Sequence, residues 1–208
     1  MLAAQPKPLR FTGIILAGGS STRFGAAKAD VVWRGASLLS HVAARLRQCC
    51  REVVAVARDE QATDGWPVDR VVRDDPGMEA SPLRGMVAGL SACRHPAALV
   101  VACDTPCLVP ALLAKLQEGL AADMDACVAE WDGRPQPLVA AYRARVGEIF
   151  HRALSAGERS PRRALYLLKV VMLSESECLH LDPQGLSFRN LNEPEDLERL
   201  EELLGASS

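Results

Sequence analysis

Two cationic side chains within a glycine-rich segment are the residues of this chain best suited to chemistry. The segment runs over residues 14–28 and contains Arg23, Gly25 and Lys28 after a glycine pair. Glycines let a backbone approach phosphate oxygens closely, and their N–H groups form a concave anion site. Arginine and lysine add fixed positive charge to such a site. The pattern therefore predicts a loop that binds the phosphates of a nucleoside triphosphate.

A carboxylate stands at the end of a second apolar run. Asp104 follows residues 97–102, and Thr105 and Pro106 come directly after it. In open α/β sheets, ligands bind beyond the carboxyl ends of the strands. A carboxylate there commonly holds Mg²⁺, which takes its other ligands from water and substrate phosphates. Asp104 is thus a candidate metal ligand. The alternative is that it caps the following helix or fixes a turn, and the metal-binding and structural roles are compatible.

Polar residues also stand beside turn-forming residues in the middle of the chain. Asp74 begins a turn that leads to Gly85, where the missing side chain would admit a ligand. The alternative, without a binding role, is a surface loop before a helix. Further along, residues 156–163 hold three arginines that could receive a phosphorylated substrate or could form a solvated helix face.

Two asparagines near the C-terminus are the last candidates. Asn192 is followed three residues later by Glu195, which resembles a capping box, so helix capping explains Asn192. Asn190 has no such duty and could present its amide into a cleft. The four histidines are scattered without an acidic or cysteine partner at triad spacing, so no histidine catalysis is expected.

Short apolar runs alternate with amphipathic ones, and this pattern predicts βαβ units and an α/β fold. Strands are predicted at 11–16, 52–57, 70–73, 97–102, 127–130, 138–142, 170–173 and 178–181. Helices are predicted at 37–48, 84–94, 108–120, 144–155 and 161–168, with a last one after residue 192. One domain, residues 1–208, is expected, with a nucleotide-binding half at 11–120 and a second half at 121–205.

Composition excludes several classes of protein. A net charge of −2 over 208 residues argues against a general nucleic-acid surface. No apolar run reaches the roughly 18 residues of a membrane span, and the first ten residues lack the apolar core of a secretory signal. The seven cysteines show no metal-ligand spacing, which favours reduced thiols in a cytoplasmic protein.

Taken together and in this order, these features resemble the molybdenum cofactor guanylyltransferases, the MobA-like nucleotidyltransferases. The resemblance extends from about Thr12 to Leu204. The segments that carry it are Leu16–Gly19 with Arg23, Gly25 and Lys28, then Ser81–Met86, Cys103–Pro106, Ala156–Arg159 and Asn190–Pro194.

The resemblance implies a Rossmann-like three-layer sandwich of nucleotidyltransferase type with a mostly parallel central sheet. It implies transfer of GMP from GTP to the terminal phosphate of molybdopterin or Mo-molybdopterin, with Mg²⁺ as cofactor and release of pyrophosphate. A molybdoenzyme or chaperone would receive the product. Neither a nucleic acid nor a membrane is expected as a partner.

Residue roles follow from the same resemblance. Catalytic roles are implied for Lys28, Asp104 and Arg23, with Asp104 as the metal ligand. Nucleotide contacts are implied for Leu16, Ala17, Gly18, Gly19, Gly25, Lys28, Asp74, Gly85 and Asp104. Contacts with the pterin acceptor are implied for Arg159, Asn190 and Asn192.

The sequence departs from the family pattern at a few positions. Ala27 stands where Asp is usual, Ala55 and Ala57 where an Asn is common at the end of the second strand, and Ser81 where Gly is usual. The resemblance implies that Gly19 favours guanine, and cytidylyl relatives resemble this loop but read Leu-Ala-Ala-Gly. A cytidylyltransferase acting on the same pterin and a nucleotide-binding module without catalysis are the alternatives.

Overall fold

The computed structural model describes residues 10–18 and 27–205, which form a central sheet covered by helices on both faces. The strands of this part are β1 (Phe11–Leu16), β2 (Val32–Trp33), β3 (Ala36–Ser37), β4 (Glu52–Ala57), β5 (Arg70–Arg73), β6 (Ala97–Ala102), β7 (Ala126–Trp131), β8 (Arg134–Arg143) and β9 (Val170–Leu173). The α-helices are α1 (Leu38–Leu46), α2 (Pro82–Ser91), α3 (Pro110–Gly119), α4 (Val146–Ser155), α5 (Pro161–Ala164), α6 (Glu175–Leu181) and α7 (Pro194–Gly205).

Seven strands form the central sheet in the order β5-β4-β1-β6-β8-β7-β9. The four strands from β5 to β6 are parallel, and β8 runs antiparallel to both of its neighbours. The remaining two strands, β2 and β3, form a small separate hairpin. The parallel half therefore presents the carboxyl ends of four neighbouring strands at one edge, where α/β proteins bind ligands.

The core lies on both faces of this sheet. One apolar cluster joins the sheet to α1, α3 and α6, and the other joins it to α2, α4 and α5. The continuous apolar sequences of β1, β4 and β6 fit strands that are covered on both faces. Helix α2 packs very closely, because a Cβ added at Gly89 would lie 2.6 Å from Ile14 Cγ2. The predicted three-layer α/β sandwich is confirmed.

Two local features differ in how well the sequence predicted them. Asp132 and Gly133 have positive φ angles of 52° and 63° in the β7–β8 turn, as the Asp-Gly pair predicts for a tight hairpin. The strand predicted at 178–181 is wrong, since these residues belong to α6. The Ser174 side chain accepts from the Glu177 backbone and Glu177 bonds back, which is a capping box that starts a helix.

None of the helices in the described ranges combines the length and the apolar character that crossing a bilayer requires.

Candidate active site

The four parallel strands end at the same level. Leu16 pairs with Val56 on one side and with Ala102 on the other, while Ala57 pairs with Arg73. The residues that follow these strands therefore share one edge of the sheet. They are Gly18 after β1, Arg58 after β4, Asp74 after β5 and Asp104 after β6.

A cavity of about 410 Å³ opens along this edge. Six of the predicted nucleotide residues line it, namely Leu16, Gly18, Lys28, Asp74, Gly85 and Asp104. Ala17 is fully buried, and its backbone joins two neighbours: its N–H donates to Val56 O at 2.8 Å and its carbonyl accepts from Gln61 Nε2 at 3.2 Å. The predicted nucleotide residues of the described part are thus brought together.

Lys28 is the central residue of a polar cluster at one end of this cavity. Its ammonium group donates to Asp104 Oδ2 at 2.8 Å and to Asn192 Oδ1 at 2.6 Å. The N–H of Leu191 donates to the backbone carbonyl of Asp104 at 2.9 Å, which holds the C-terminal segment against β6. A residue predicted for the acceptor side, Asn192, therefore contacts the lysine predicted for the phosphates.

Asn192 does not follow the capping scheme that the sequence predicts with Glu195. The carboxylate of Asp196 accepts from the backbone N–H of Asn192 at 2.8 Å and from that of Glu193 at 3.0 Å. Asp196 thus supplies the acceptor at the start of α7, and the Asn192 amide oxygen is used by Lys28 instead.

Asp104 has the chemistry that a magnesium ligand needs. Its Oδ1 is buried and has no hydrogen-bond partner among residues 10–18 and 27–205. A carboxylate oxygen is a hard donor of the type that Mg²⁺ prefers, so the residue fits the ion. The capping alternative fails, because α3 begins six residues later with Val109 at its N-cap. The neighbouring Cys103 is inert as a nucleophile, since burial raises the pKa of its thiol to about 12.

A second cavity, of about 360 Å³, adjoins the first. Pro82, Ala102, Asp104 and Leu138 line both. The predicted acceptor residue Asn190 lines the second cavity, together with Gln136, Arg162 and Phe188. Asp104 thus stands at the junction of two cavities, one with the nucleotide residues and one with an acceptor residue.

Arg159, the arginine that the resemblance selects for the acceptor, is not among the residues lining either cavity. Its Nε donates to Glu79 Oε2 at 3.1 Å and its Nη1 donates to the Leu154 carbonyl at 2.7 Å. Arg162 is exposed and donates from Nε to the Pro135 carbonyl at 3.2 Å. Of the three arginines in this segment, Arg162 is the one that lines the second cavity.

Glu158 organises the turn that carries these arginines. Its carboxylate accepts from Arg163 Nε at 2.9 Å and from the N–H groups of Arg159 and Ser160. The bond from the Arg163 guanidinium, with those backbone donors, lowers the pKa of Glu158 to about 2. The carboxylate is therefore ionised at any physiological pH.

Gly19, Arg23 and Gly25, three of the predicted loop residues, lie outside the described residues.

Sequence reasoning missed two arginines in the first cavity. Arg58 follows β4 directly, so the strand-end argument that selects Asp104 applies to it equally. A Cβ added at Gly18 would lie 3.2 Å from Arg58 Cγ, so the Arg58 side chain packs against Gly18. Arg84 also lines this cavity and lies in the segment 81–86, where Gly85 alone is a sequence-predicted nucleotide contact.

Comparison with known proteins supports the likeness that the motifs indicate. The family model of the MobA-like NTP transferase domain matches residues 13–170. A probable molybdenum cofactor guanylyltransferase of Chloroflexus aggregans is 36% identical over 210 residues, which cover 98% of this chain and 100% of that protein.

Solved structures show the same likeness. Molybdopterin-guanine dinucleotide biosynthesis protein A of Archaeoglobus fulgidus superposes with a TM-score of 0.80 at 28% identity, over 94% of this chain and 100% of that one. The 2-C-methyl-D-erythritol 4-phosphate cytidylyltransferase of Thermus thermophilus gives a TM-score of 0.68 at 16% identity, over 92% and 98%. At that identity the second likeness concerns the fold alone.

Proposed function

The chain belongs to the MobA-like NTP transferase family, and on that premise we propose that it transfers GMP from GTP to the terminal phosphate of molybdopterin or Mo-molybdopterin. The observation that carries the proposal is the position of Asp104 and Lys28. Asp104 lines both cavities, and Lys28 bonds to it from the nucleotide side. Two phosphorylated substrates that enter from the two cavities would meet there.

The reaction needs no general base from the protein. The acceptor is a phosphate monoester, which is ionised at neutral pH. One of its oxygens forms a bond to the α-phosphorus of GTP, the bond from that phosphorus to the bridging oxygen breaks, and pyrophosphate leaves. The site must relieve the repulsion between the two anions. It must also align them, and alignment can lower the barrier by roughly 7–11 kcal/mol.

Lys28 is suited to relieving the repulsion between the two anions. Its ammonium group would donate to the phosphates of GTP, with Arg23 of the same loop as a second cation. Asp104 would hold Mg²⁺ through its unpaired Oδ1. When bound, Mg²⁺ would neutralise negative charge on the phosphates. Asp104 and Lys28 neutralise each other without substrate, so nucleotide binding would replace their ion pair with new contacts.

The second cavity would take the acceptor. Asn190 and Arg162 line it, and the arginine provides the positive charge that an anionic acceptor requires. Arg159, which the family resemblance selects, would act on the acceptor after release from Glu79. A molybdoenzyme or a chaperone would then receive the product.

We also propose that this reaction takes place in the cytoplasm. All seven cysteines are free thiols, including the adjacent pair Cys49 and Cys50. Free thiols in such number are typical of a reducing compartment.

The proposal is tested by incubating the protein with Mo-molybdopterin, Mg²⁺ and one nucleotide at a time, while pyrophosphate is measured. Of the nucleotides tested, only GTP is expected to support the release of pyrophosphate. Chelation of the metal is expected to stop this release. Release with CTP and not with GTP would identify a cytidylyltransferase. Binding of GTP without any pyrophosphate release would identify a binding module instead.

A further inference from the structure

The two edge strands of the central sheet differ in how well they are protected from pairing with another chain. Strand β5 forms one edge and carries an arginine at each end, Arg70 and Arg73. Strand β9 forms the other edge, and its four residues, Val170–Leu173, include no charged residue, no proline and no bulge. Proteins commonly use such features to keep an edge strand from pairing with a further strand. The edge at β9 lacks them.

The backbone of β9 has polar groups that point away from the sheet. The N–H of Ala126 in β7 donates to the carbonyl of Lys169 at 3.3 Å, and the parallel pairing of β7 with β9 is unbroken from there. Alternate residues of a parallel strand bond to the same neighbour, so Val171 also faces β7. The N–H and C=O groups of Val170 and Met172 therefore point outward, to a side on which the described part of the chain places no strand.

Exposed apolar side chains concentrate around the same edge. Within residues 10–18 and 27–205, five large hydrophobic side chains are exposed, and four of them belong to β9 or to the segments directly beside it. These four are Tyr166 (90% exposed), Leu167 (57%), Met172 (38%) and Leu179 (42%), whereas the fifth, Val32, lies on the separate hairpin. Single exposed apolar residues are ordinary, but a group of them indicates a contact surface.

The charges that flank β9 are self-complementary. Lys169 stands three positions before Met172, and Glu175 stands three positions after it. Neither side chain takes part in the ion pairs of the described ranges. If two copies paired antiparallel about a two-fold axis at Met172, Lys169 of each copy would lie opposite Glu175 of the other. Two opposite-charge pairs would then form at once.

We infer that β9 is a docking surface for a second copy of this chain, which pairs antiparallel with it about an axis at Met172. The outward N–H of Met172 donates to the Met172 carbonyl of the other copy, and the two seven-stranded sheets join into one. The assembly closes at two chains, because the edges that remain are both β5, with Arg70 and Arg73. This inference does not depend on the proposed reaction.

Sedimentation equilibrium of the intact protein over a series of concentrations tests the inference. We expect the mass to rise from one chain to two as the concentration passes through the micromolar range. Amide hydrogen exchange then locates the contact, since the Met172 N–H should exchange more slowly in the dimer. A mass of one chain up to about 1 mM would overturn the inference. A dimer in which the Met172 N–H exchanges as fast as in the monomer would overturn it as well.

Met172→Lys sets two ammonium groups against each other at the axis, and like charges directly opposite on paired strands are unfavourable. The side chain is exposed, so the fold is expected to persist. We expect a mass of one chain at every concentration. Val32→Lys is the matched control, because it changes an exposed apolar residue outside the docking surface, and its dimer should be unaltered. A dimer that persists in Met172→Lys would contradict the inference.

Reversal of the flanking charges tests the register of the pairing. Lys169→Glu and Glu175→Lys each create two like-charge pairs, so we expect each to raise the dissociation constant of the dimer about tenfold. The double variant restores both opposite-charge pairs and should dimerise as the unmodified protein does. A double variant that is folded and dimerises no better than the single ones would overturn the pairing about Met172.

Glu175 also accepts from the Gly133 N–H at 3.3 Å, so Glu175→Lys is checked by circular dichroism. If that variant is unfolded, the salt dependence of Lys169→Glu decides. The weakening that Lys169→Glu causes should shrink as salt screens the repulsion between the two carboxylates. A weakening that is the same at low and high salt would contradict the proposed pairing.

Discussion

The ammonium group of Lys28 lies 2.8 Å from the Oδ2 atom of Asp104, although the two residues are 76 positions apart in the chain. Their side chains are 13% and 16% exposed, so the pair is largely shielded from water. A cation proposed for the phosphates and a carboxylate proposed for the metal therefore compensate each other in the free protein. We expect substrate binding to separate them.

Asp104→Asn is expected to lower the transfer rate by about 100-fold or more, because the carboxylate charge that would hold the metal is lost. The amide still offers an oxygen to Lys28, so the fold is expected to persist. Initial rates over a series of Mg²⁺ concentrations measure the effect. Asp69→Asn, at an exposed carboxylate paired with Arg47, is the control and should keep its rate. Normal Mg²⁺-dependent turnover of Asp104→Asn would refute the metal role.

Asn192→Ala is expected to raise the KM for GTP by about tenfold, since Lys28 loses the neutral acceptor that helps to fix its ammonium group. The KM for GTP is the measurement, and Asn190→Ala is the comparison because Asn190 lines only the second cavity. A change confined to the KM of the acceptor in both variants would show that Asn192 serves the pterin side alone.

The strand ends of this site could be predicted from the sequence, while its long-range pairings could not. An apolar run that ends in a polar residue marks the carboxyl edge of a sheet, and this pattern predicts the position of Asp104. The bond between Lys28 and Asn192 joins residues 164 positions apart, and no local pattern encodes it. Local capping rules even favoured a different use of Asn192. Another local contact replaces the predicted one, because Asp196, four residues after Asn192, accepts the backbone donors.

The same limit explains why the buried ion pair of Arg84 could not be predicted from the sequence. The sequence predicts a helix at 84–94, and the observed α2 begins at Pro82, close to that start. A charged residue at the start of a helix is ordinarily assumed to be solvated. Only the fold reveals that Asp74, ten residues earlier, is buried beside it. For the sheet, by contrast, the apolar runs were sufficient: the predicted bounds of β1, β4, β5, β6 and β9 are the observed ones.

Arg162→Gln is expected to raise the KM for the pterin acceptor about tenfold and to leave the KM for GTP unchanged, because this guanidinium lines only the second cavity. Arg159→Gln is the informative comparison, since Arg159 is bound to Glu79. If Arg159→Gln alone weakens the acceptor, then the resemblance chose the correct arginine and the described geometry changes on binding.

The stability of the protein is expected to fall in acid partly through Glu158. Its pKa is lowered to about 2 from an ordinary value of 4.5, so its contribution is present above pH 4.5 and is lost as the pH falls toward 2. Urea midpoints at several pH values measure this. Glu158→Gln should flatten the profile in that interval, and Glu148→Gln, at an exposed carboxylate of α4, should not.

Gly89→Ala is expected to destabilise the protein, because the added Cβ would lie 2.6 Å from Ile14 Cγ2 and 3.1 Å from Val56 Cγ2, at a steric cost of roughly 1–3 kcal/mol. The higher helix propensity of alanine offsets about 1 kcal/mol of this steric cost, so the net destabilisation is expected to lie at or below about 2 kcal/mol. Denaturant unfolding gives the difference. Gly205→Ala, where no atom lies within 4 Å of the new methyl group, should leave the midpoint unchanged or slightly higher.

The site is completed late in synthesis, because two of its hydrogen bonds involve C-terminal residues. Leu191 bonds to Asp104, and Asn192 bonds to Lys28. Chains emerge from the ribosome N-terminus first, so the two charged residues are exposed long before their C-terminal partners are translated. A nascent chain that has not yet released residue 192 can fold its parallel strands yet lacks the last polar contact of the cluster. Full affinity for nucleotide would therefore arise only after residue 192 has left the ribosome.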